Sequence, residues 1–285
     1  MFELVYRFDP ANVEWHQMPQ SSEEGCRSLV QGNRDFAEMT DTRRAGNATR
    51  VIPFDPRAFG WGVGEGDAPA QAPFAAVLGC ADARVPTEMV FSKGCNELFV
   101  VRVAGNVLGQ ECLGSLRFAV NHFPATLKLL VVLAHAKCGA VSEAVDVYLE
   151  PRRYLDMATD AAIRSIEDQI LVGVRTAAMS MEALYGLGIL RKHDCRAALI
   201  EAAVALNAAW SGYCLRQEFR TKFPDLGVVF GVYDLISRYV RLPLSPPGEL
   251  TEEEKGLFLP PENAEGFRQL AHRICSGKLV KSLLG

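Results

Sequence analysis

The chain has 285 residues, 49% of them hydrophobic, which suits one substantial core better than two equal domains. Its 30 basic and 34 acidic residues are interspersed and leave a formal net charge of -4, which argues against nucleic acid or anionic membrane as a partner. No apolar run approaches the ~20 residues of a membrane span, and the opening MFELVYRFDPANVEWHQ lacks the basic start and long apolar stretch of a secretory signal, so a cytoplasmic protein is expected.

In chain order, an amphipathic helix fits Ser21 to Phe36, with Leu29, Val30 and Phe36 apolar and a serine at its start. The following stretch to Pro73 is rich in Gly, Pro and Ala and reads as a wrapping loop. FAAVLG (74–79), ELFVVRVA (97–104) and LKLLVVLA (127–134) are then continuous apolar runs rich in β-branched residues, the pattern of strands buried on both faces. Helix-compatible stretches at 86–92, 111–122 and 139–149 alternate with them, which predicts an α/β fold with a mainly parallel sheet and right-handed crossovers. Two long Ala/Leu-rich helices follow at about 157–188 and 196–219. LGVVFGVYDL (226–235) and RYVRL (238–242) read as terminal strands. Past Pro243 the composition shifts to PLSPPGELTEEEKG, read as a linker. Residues 262–284 suit a helix with Phe267, Leu270, Ile274 and Leu279 on or near one face. The division expected is an N-terminal arm (1–24), a main domain (25–244), and a linker with a helical tail (245–285).

Eight cysteines without a secretory signal read as thiols or metal ligands rather than a disulfide framework, and none forms a CxxC pair. Two clusters stand out. Cys80-Ala81-Asp82-Ala83-Arg84 follows the first core strand and His135-Ala136-Lys137-Cys138-Gly139 follows the third. Both therefore fall at the carboxyl edge of the sheet, where open α/β sheets bind ligands. For the clusters to meet, the first and third strands must be neighbours with the second outside, giving the order 2-1-3.

Taken singly these residues are weak signals: a buried cysteine is usually a small apolar residue, a lone HxxC is common, and Asp82 with Arg84 can be an ordinary ion pair. Together they suit tetrahedral zinc, one ion per chain, held by Cys80, His135 and Cys138 with the fourth position free. Arg84 would then orient Asp82 beside a metal-activated water.

CADARVPTEMVF, ELFVVRVAGN and LLVVLAHAKCGAV resemble the β-class carbonic anhydrases in order and approximate spacing, and the resemblance extends over about residues 25–244. It implies that family's sheet, order 2-1-3-4 with a C-terminal antiparallel strand, and reversible hydration of CO2 to bicarbonate. It also implies zinc on Cys80, His135 and Cys138, a catalytic Asp82–Arg84 dyad, and Gln71, Phe99 and Phe118 as pocket residues. The minimal unit it implies is a homodimer, with a tetramer as its extension. Ala81, Ala83 and Ala134 depart from the family's usual Ser, Ser and Gly. Val77 stands where some bacterial members carry the tryptophan of a second bicarbonate site, although Arg102 matches that site's arginine, so no bicarbonate switch is expected. Other readings on the same ligand set are hydrolysis of carbonyl sulfide or carbon disulfide, and a non-catalytic zinc-binding interaction protein. The sequence does not place His16, His122, His193 or His272 near the zinc as a proton shuttle.

Overall fold

The three apolar runs are strands, and they lie side by side at the centre of the molecule. The computed structural model describes residues 2–7, 18–41, 48–53, 56–59 and 68–285. In chain order its elements are β1 (Phe2–Arg7), α1 (Ser22–Met39), β2 (Ala48–Pro53), β3 (Ala75–Cys80), α2 (Thr87–Val90), β4 (Leu98–Val103), α3 (Gln110–His122), β5 (Leu129–His135), α4 (Gly139–Leu149), α5 (Arg153–Ala158), α6 (Ala161–Tyr185), α7 (Cys195–Phe219), β6 (Gly227–Tyr233), β7 (Val240–Arg241), α8 (Ala264–Cys275) and α9 (Lys278–Leu284).

The main sheet has the order β4-β3-β5-β6-β7, parallel except for β7. This is the expected order 2-1-3-4 with a C-terminal antiparallel strand. β3 and β5 are buried along their whole length, which is why their sequences are continuous rather than alternating. Alternate residues still serve different layers. Ala76, Leu78, Leu130, Val132 and Ala134 join the core formed with α3, α4, α6 and α7. Ala75, Val77, Leu129, Val131 and Leu133 join a second core with Leu29 and Phe36 of α1 and Val90 of α2.

Helix α1 begins where Ser21 caps it, the side chain accepting from the Glu24 amide at 3.2 Å. Its buried Asn33 accepts from the Val240 amide and donates to the Val90 and Arg238 carbonyls, tying α1 to β7 and to α2.

Three expectations change. The wrapping loop contains β2, which pairs in parallel with β1 as a separate two-stranded sheet. Residues 8–17, 42–47, 54–55 and 60–67 of the arm and loop, His16 among them, lie outside the described residues. The helix expected over 157–188 is α6, which starts at Ala161 because Asp160 caps it by accepting from the Ala162 and Ile163 amides, and the residues just before it form the separate short α5. The stretch after Pro243 is a packed strap rather than a spacer. Phe258 exchanges two backbone hydrogen bonds of 2.8 Å with Phe230 of β6, and Gly256 donates to Val240 of β7.

Candidate functional site

The turn after β3 and the turn after β5 meet because those strands are neighbours in register, Gly79 opposite Leu133. Cys80 ends β3, His135 ends β5, and Cys138 is the N-cap residue of α4, all three buried. Their ligand-type atoms lie within 4.8 Å of one another, the two sulfurs 3.9 Å apart. The His135 ring is fixed by Nδ1, 3.0 Å from the Ala136 carbonyl, which assigns the proton to Nδ1 and leaves Nε2 as the lone-pair nitrogen. Nε2 is buried with no hydrogen-bond partner among the described residues. A fully buried acceptor without a donor is costly unless something else fills the role. Two thiols and this orphaned imidazole nitrogen fit a soft or borderline cation.

The thiols influence each other. Cys80 is held below the ordinary thiol range, chiefly by hydrogen bonding from Cys138, while Cys138 is driven up by the same sharing and by burial. The amides of Val141 and Ala140 at the start of α4 work the other way on Cys138, as expected for a thiol at a helix N-terminus. A bound cation would favour both thiolates together.

Asp82 lies two residues beyond Cys80. Its Oδ1 accepts from the Arg84 amide and Nε, both at 2.9 Å, and its Oδ2 accepts from Arg84 Nη2 at 2.6 Å. This clamp, above all its side-chain hydrogen bonds, holds the carboxyl far below the usual carboxylate range. Oδ2 takes a single bond from Arg84 and sits 3.6 Å from His135 Nε2, so the ionised carboxylate presents a free lone pair toward the metal-facing atoms.

Two further residues brace the turns. Lys137, between His135 and Cys138, has a left-handed backbone (φ 54), and its amide donates at 3.1 Å to Oε1 of Glu201, a buried glutamate of α7. Arg102 of β4 donates from Nε to the Cys80 carbonyl at 3.0 Å and from Nη2 to the Asp82 carbonyl at 2.5 Å. The resemblance matched Arg102 to the arginine of a second bicarbonate site, and Glu201 had no expected role. A lone acid inside the apolar run of α7 was the one available signal for Glu201.

The pocket residues are elsewhere in the chain. Gln71 is exposed ahead of β3, in a segment pinned by Asn96 to Ala70 and Ala72. β3 alone separates that end from Cys80 by roughly 16 Å, at about 3.3 Å per residue. Phe99 pairs with Ala76, four residues and roughly 13 Å before Cys80. It packs with Phe118 and Phe123, centroids 6.5 and 6.2 Å away, and the exposed Phe118 stacks on His122. Cys80, Asp82, Arg84, His135 and Cys138 are thus brought together, and Gln71, Phe99 and Phe118 are not joined to them within one chain.

Fold and site together define an α/β protein with a two-sulfur, one-nitrogen candidate metal site at the carboxyl edge of its sheet, between neighbouring strands where the strand order turns. The carbonic anhydrase family model matches residues 75–210, the stretch that holds Cys80, Asp82, Arg84, His135 and Cys138. It is 45% identical over 80 residues to carbonic anhydrase 2 of Mycobacterium tuberculosis, a match covering 28% of this chain and 38% of that one. It is 47% identical over 72 residues to a carbonic anhydrase of Mycolicibacterium smegmatis, covering 25% and 34%. The matched stretch therefore spans well under half the length of these curated relatives. Among solved structures it is similar to tetrameric β-carbonic anhydrases from Sordaria macrospora, at 16% identity and a TM-score of 0.49 over 65% of this chain and 83% of that one.

Proposed function

We propose that the chain is a zinc-dependent carbonate dehydratase, hydrating CO2 reversibly to bicarbonate and a proton, with one zinc ion per chain on Cys80, His135 and Cys138. The observation that carries this reading is the buried, partnerless His135 Nε2 converging with two thiols beside a carboxylate clamped by arginine. A purely structural zinc site needs no such carboxylate. Zinc, when bound, supplies the Lewis acidity that activates water at neutral pH.

The chain's own groups set the geometry. Asp82, ionised and acceptor-only, takes a hydrogen bond from the reacting water and so aims an oxygen lone pair away from itself, toward substrate. Arg84 keeps that carboxylate from rotating and from taking up the proton. Gln71, Phe99 and Phe118 lie too far along β3 and β4 to serve their own chain's site, so in this reading they line the site of a partner subunit, with a homodimer as the minimal unit. Eight free thiols suit a cytoplasmic setting.

Stopped-flow CO2 hydration on protein of known zinc content tests the proposal. Expected are about one zinc per chain, loss of zinc in Cys138→Ala, and an Asp82→Asn variant that keeps zinc while its rate falls by about 10²- to 10⁴-fold. Zinc-loaded protein without hydration would reject the activity and send the search to carbonyl sulfide and carbon disulfide. Protein that takes up no zinc would reject the ligand set.

A further inference from the structure

Arg102 stands in β4 directly opposite Gly79, one residue before the first metal-facing cysteine. Its guanidinium bonds neither to a carboxylate nor to the metal-facing atoms. It donates to two backbone carbonyls, those of Cys80 (3.0 Å) and Asp82 (2.5 Å). Between them, the Ala81 amide is held by the Val103 carbonyl at 3.1 Å, and the Asp82 carbonyl also accepts from the Val85 amide at 3.1 Å. The Cys80–Ala81 and Asp82–Ala83 peptide units, which flank the Ala81–Asp82 unit, are thus both tied to β4. These are the units whose rotation would swing the Cys80 sulfur and the Asp82 carboxylate.

We propose that Arg102 is a positioning residue for the candidate site, its planar fork locking the Cys80–Asp82 turn so that the thiolate and the carboxylate share one fixed direction. The inference rests on the zinc reading given above. The two arginines then divide the work: Arg84 sets the carboxylate's rotation, and Arg102 sets the backbone that carries it. Two donors held in a rigid plane suit two carbonyls on one turn, and a lysine, with a single donor point on a flexible stem, can hold one of them at a time. The same contacts occupy the Nε–Nη2 edge of the guanidinium, one of its two bidentate donor edges.

The test loads the full-length protein with cobalt(II) in place of zinc and compares wild type with Arg102→Met and Arg102→Lys. Thiolate-to-cobalt absorption bands report the ligand geometry independently of any reaction. For Arg102→Met we expect shifted or weakened bands, a 10- to 100-fold loss of metal affinity, and a fall in kcat for CO2 hydration at unchanged KM. Arg102→Lys should lie between. If the methionine variant does not fold, the lysine and glutamine variants carry the same comparison. Wild-type bands, affinity and kcat in these variants would overturn the proposal even if Tm drops, since Arg102 would then be packing alone. Relief of bicarbonate inhibition without a spectral change would also overturn it, in favour of an anion site. Wild-type protein that shows the cobalt bands but hydrates no CO2 would reject the enzymatic reading and leave the spectral test of Arg102 standing.

Discussion

A carboxyl group in the interior usually finds a hydrogen-bond donor, as Glu201 finds the Lys137 amide. Glu167 of α6 does not. It is 3% exposed, and its Oε2 has no hydrogen-bond partner among the described residues. Burial, reinforced by Glu143 and Asp168, pushes its carboxyl up to about 7. The folded chain therefore binds this proton more tightly than the unfolded chain, so the associated stability is full below the ordinary glutamate range and is lost as pH rises through about 7. Glu167→Gln keeps the shape without the charge. It should leave stability unchanged near pH 4 and raise it at pH 8 by about 1–3 kcal/mol, read from urea unfolding at both pH values. Equal effects at the two pH values would mean that the carboxyl is not carrying an ionisation cost. The convergence of Cys80, Asp82, Arg84, His135 and Cys138 was legible in the sequence because all five sit on two short segments at the ends of strands whose apolar runs are unmistakable. Arg102, Glu201 and Glu167 were not, because each acts across the fold as a single charged side chain, and no spacing marks which carbonyl, amide or apolar wall it will meet.

Close approach between elements depends on where side chains are missing. Gly32 of α1 faces the last turn of α2, where an added Cβ would lie 1.9 Å from the Phe91 carbonyl oxygen, and the Ser92 hydroxyl donates to the Gly32 carbonyl at 2.9 Å. Gly114 of α3 is a control, since an added Cβ there meets nothing within 4 Å. Alanine favours a helix interior over glycine by about 1 kcal/mol at either position, and Gly114→Ala should gain up to that amount. Gly32→Ala meets backbone that cannot turn aside and should lose about 1–3 kcal/mol net, as overpacked contacts do. Chemical unfolding of both variants checks the contrast, and a gain at Gly32 would mean that α1 does not seat on α2 this closely. At this scale the sequence was informative where the period was clean. α4 spans the expected 139–149, and the core strands fall within a residue or two of their runs. It failed at β1 and β2, whose pairing joins segments about 46 residues apart across α1, and at Asp160, whose cap starts α6 later than the apolar pattern does.

Helix α7 shows why the tail belongs to the whole. It is long and apolar enough to cross a membrane by length and composition, yet it is a core helix with no polar face. β5 and β6 lie along one side of it, α6 beside it, and α8 and α9 across what would otherwise be its outer surface. A helix buried along most of its length has little reason to keep an amphipathic stripe. The cover is specific: Phe267, Ala271, Ile274 and Cys275 of α8 and Leu279 and Val280 of α9 are buried, and the Tyr185 hydroxyl donates to the Cys275 carbonyl at 2.7 Å. The strap leading there is fastened by the buried Arg241–Asp234 pair at 2.6 Å and by the Arg241 contact to the Ser245 carbonyl. Because α7 also carries Glu201, which holds the Lys137 amide between two metal-facing residues, the tail is mechanically continuous with the site. Deleting residues 264–285 removes four large apolar anchors worth about 1.5–3 kcal/mol each, a sum of the order of a domain's entire stability of about 5–15 kcal/mol. The truncated chain should therefore aggregate or remain unfolded. The milder Ile274→Ala should fold with a loss of about 2–5 kcal/mol and unchanged zinc content. Circular dichroism melts with parallel zinc assay decide it: a truncated chain that melts cooperatively at the full-length Tm with zinc bound would show α8 and α9 to be an appendage, and α7 would then need another source of cover for its outer face.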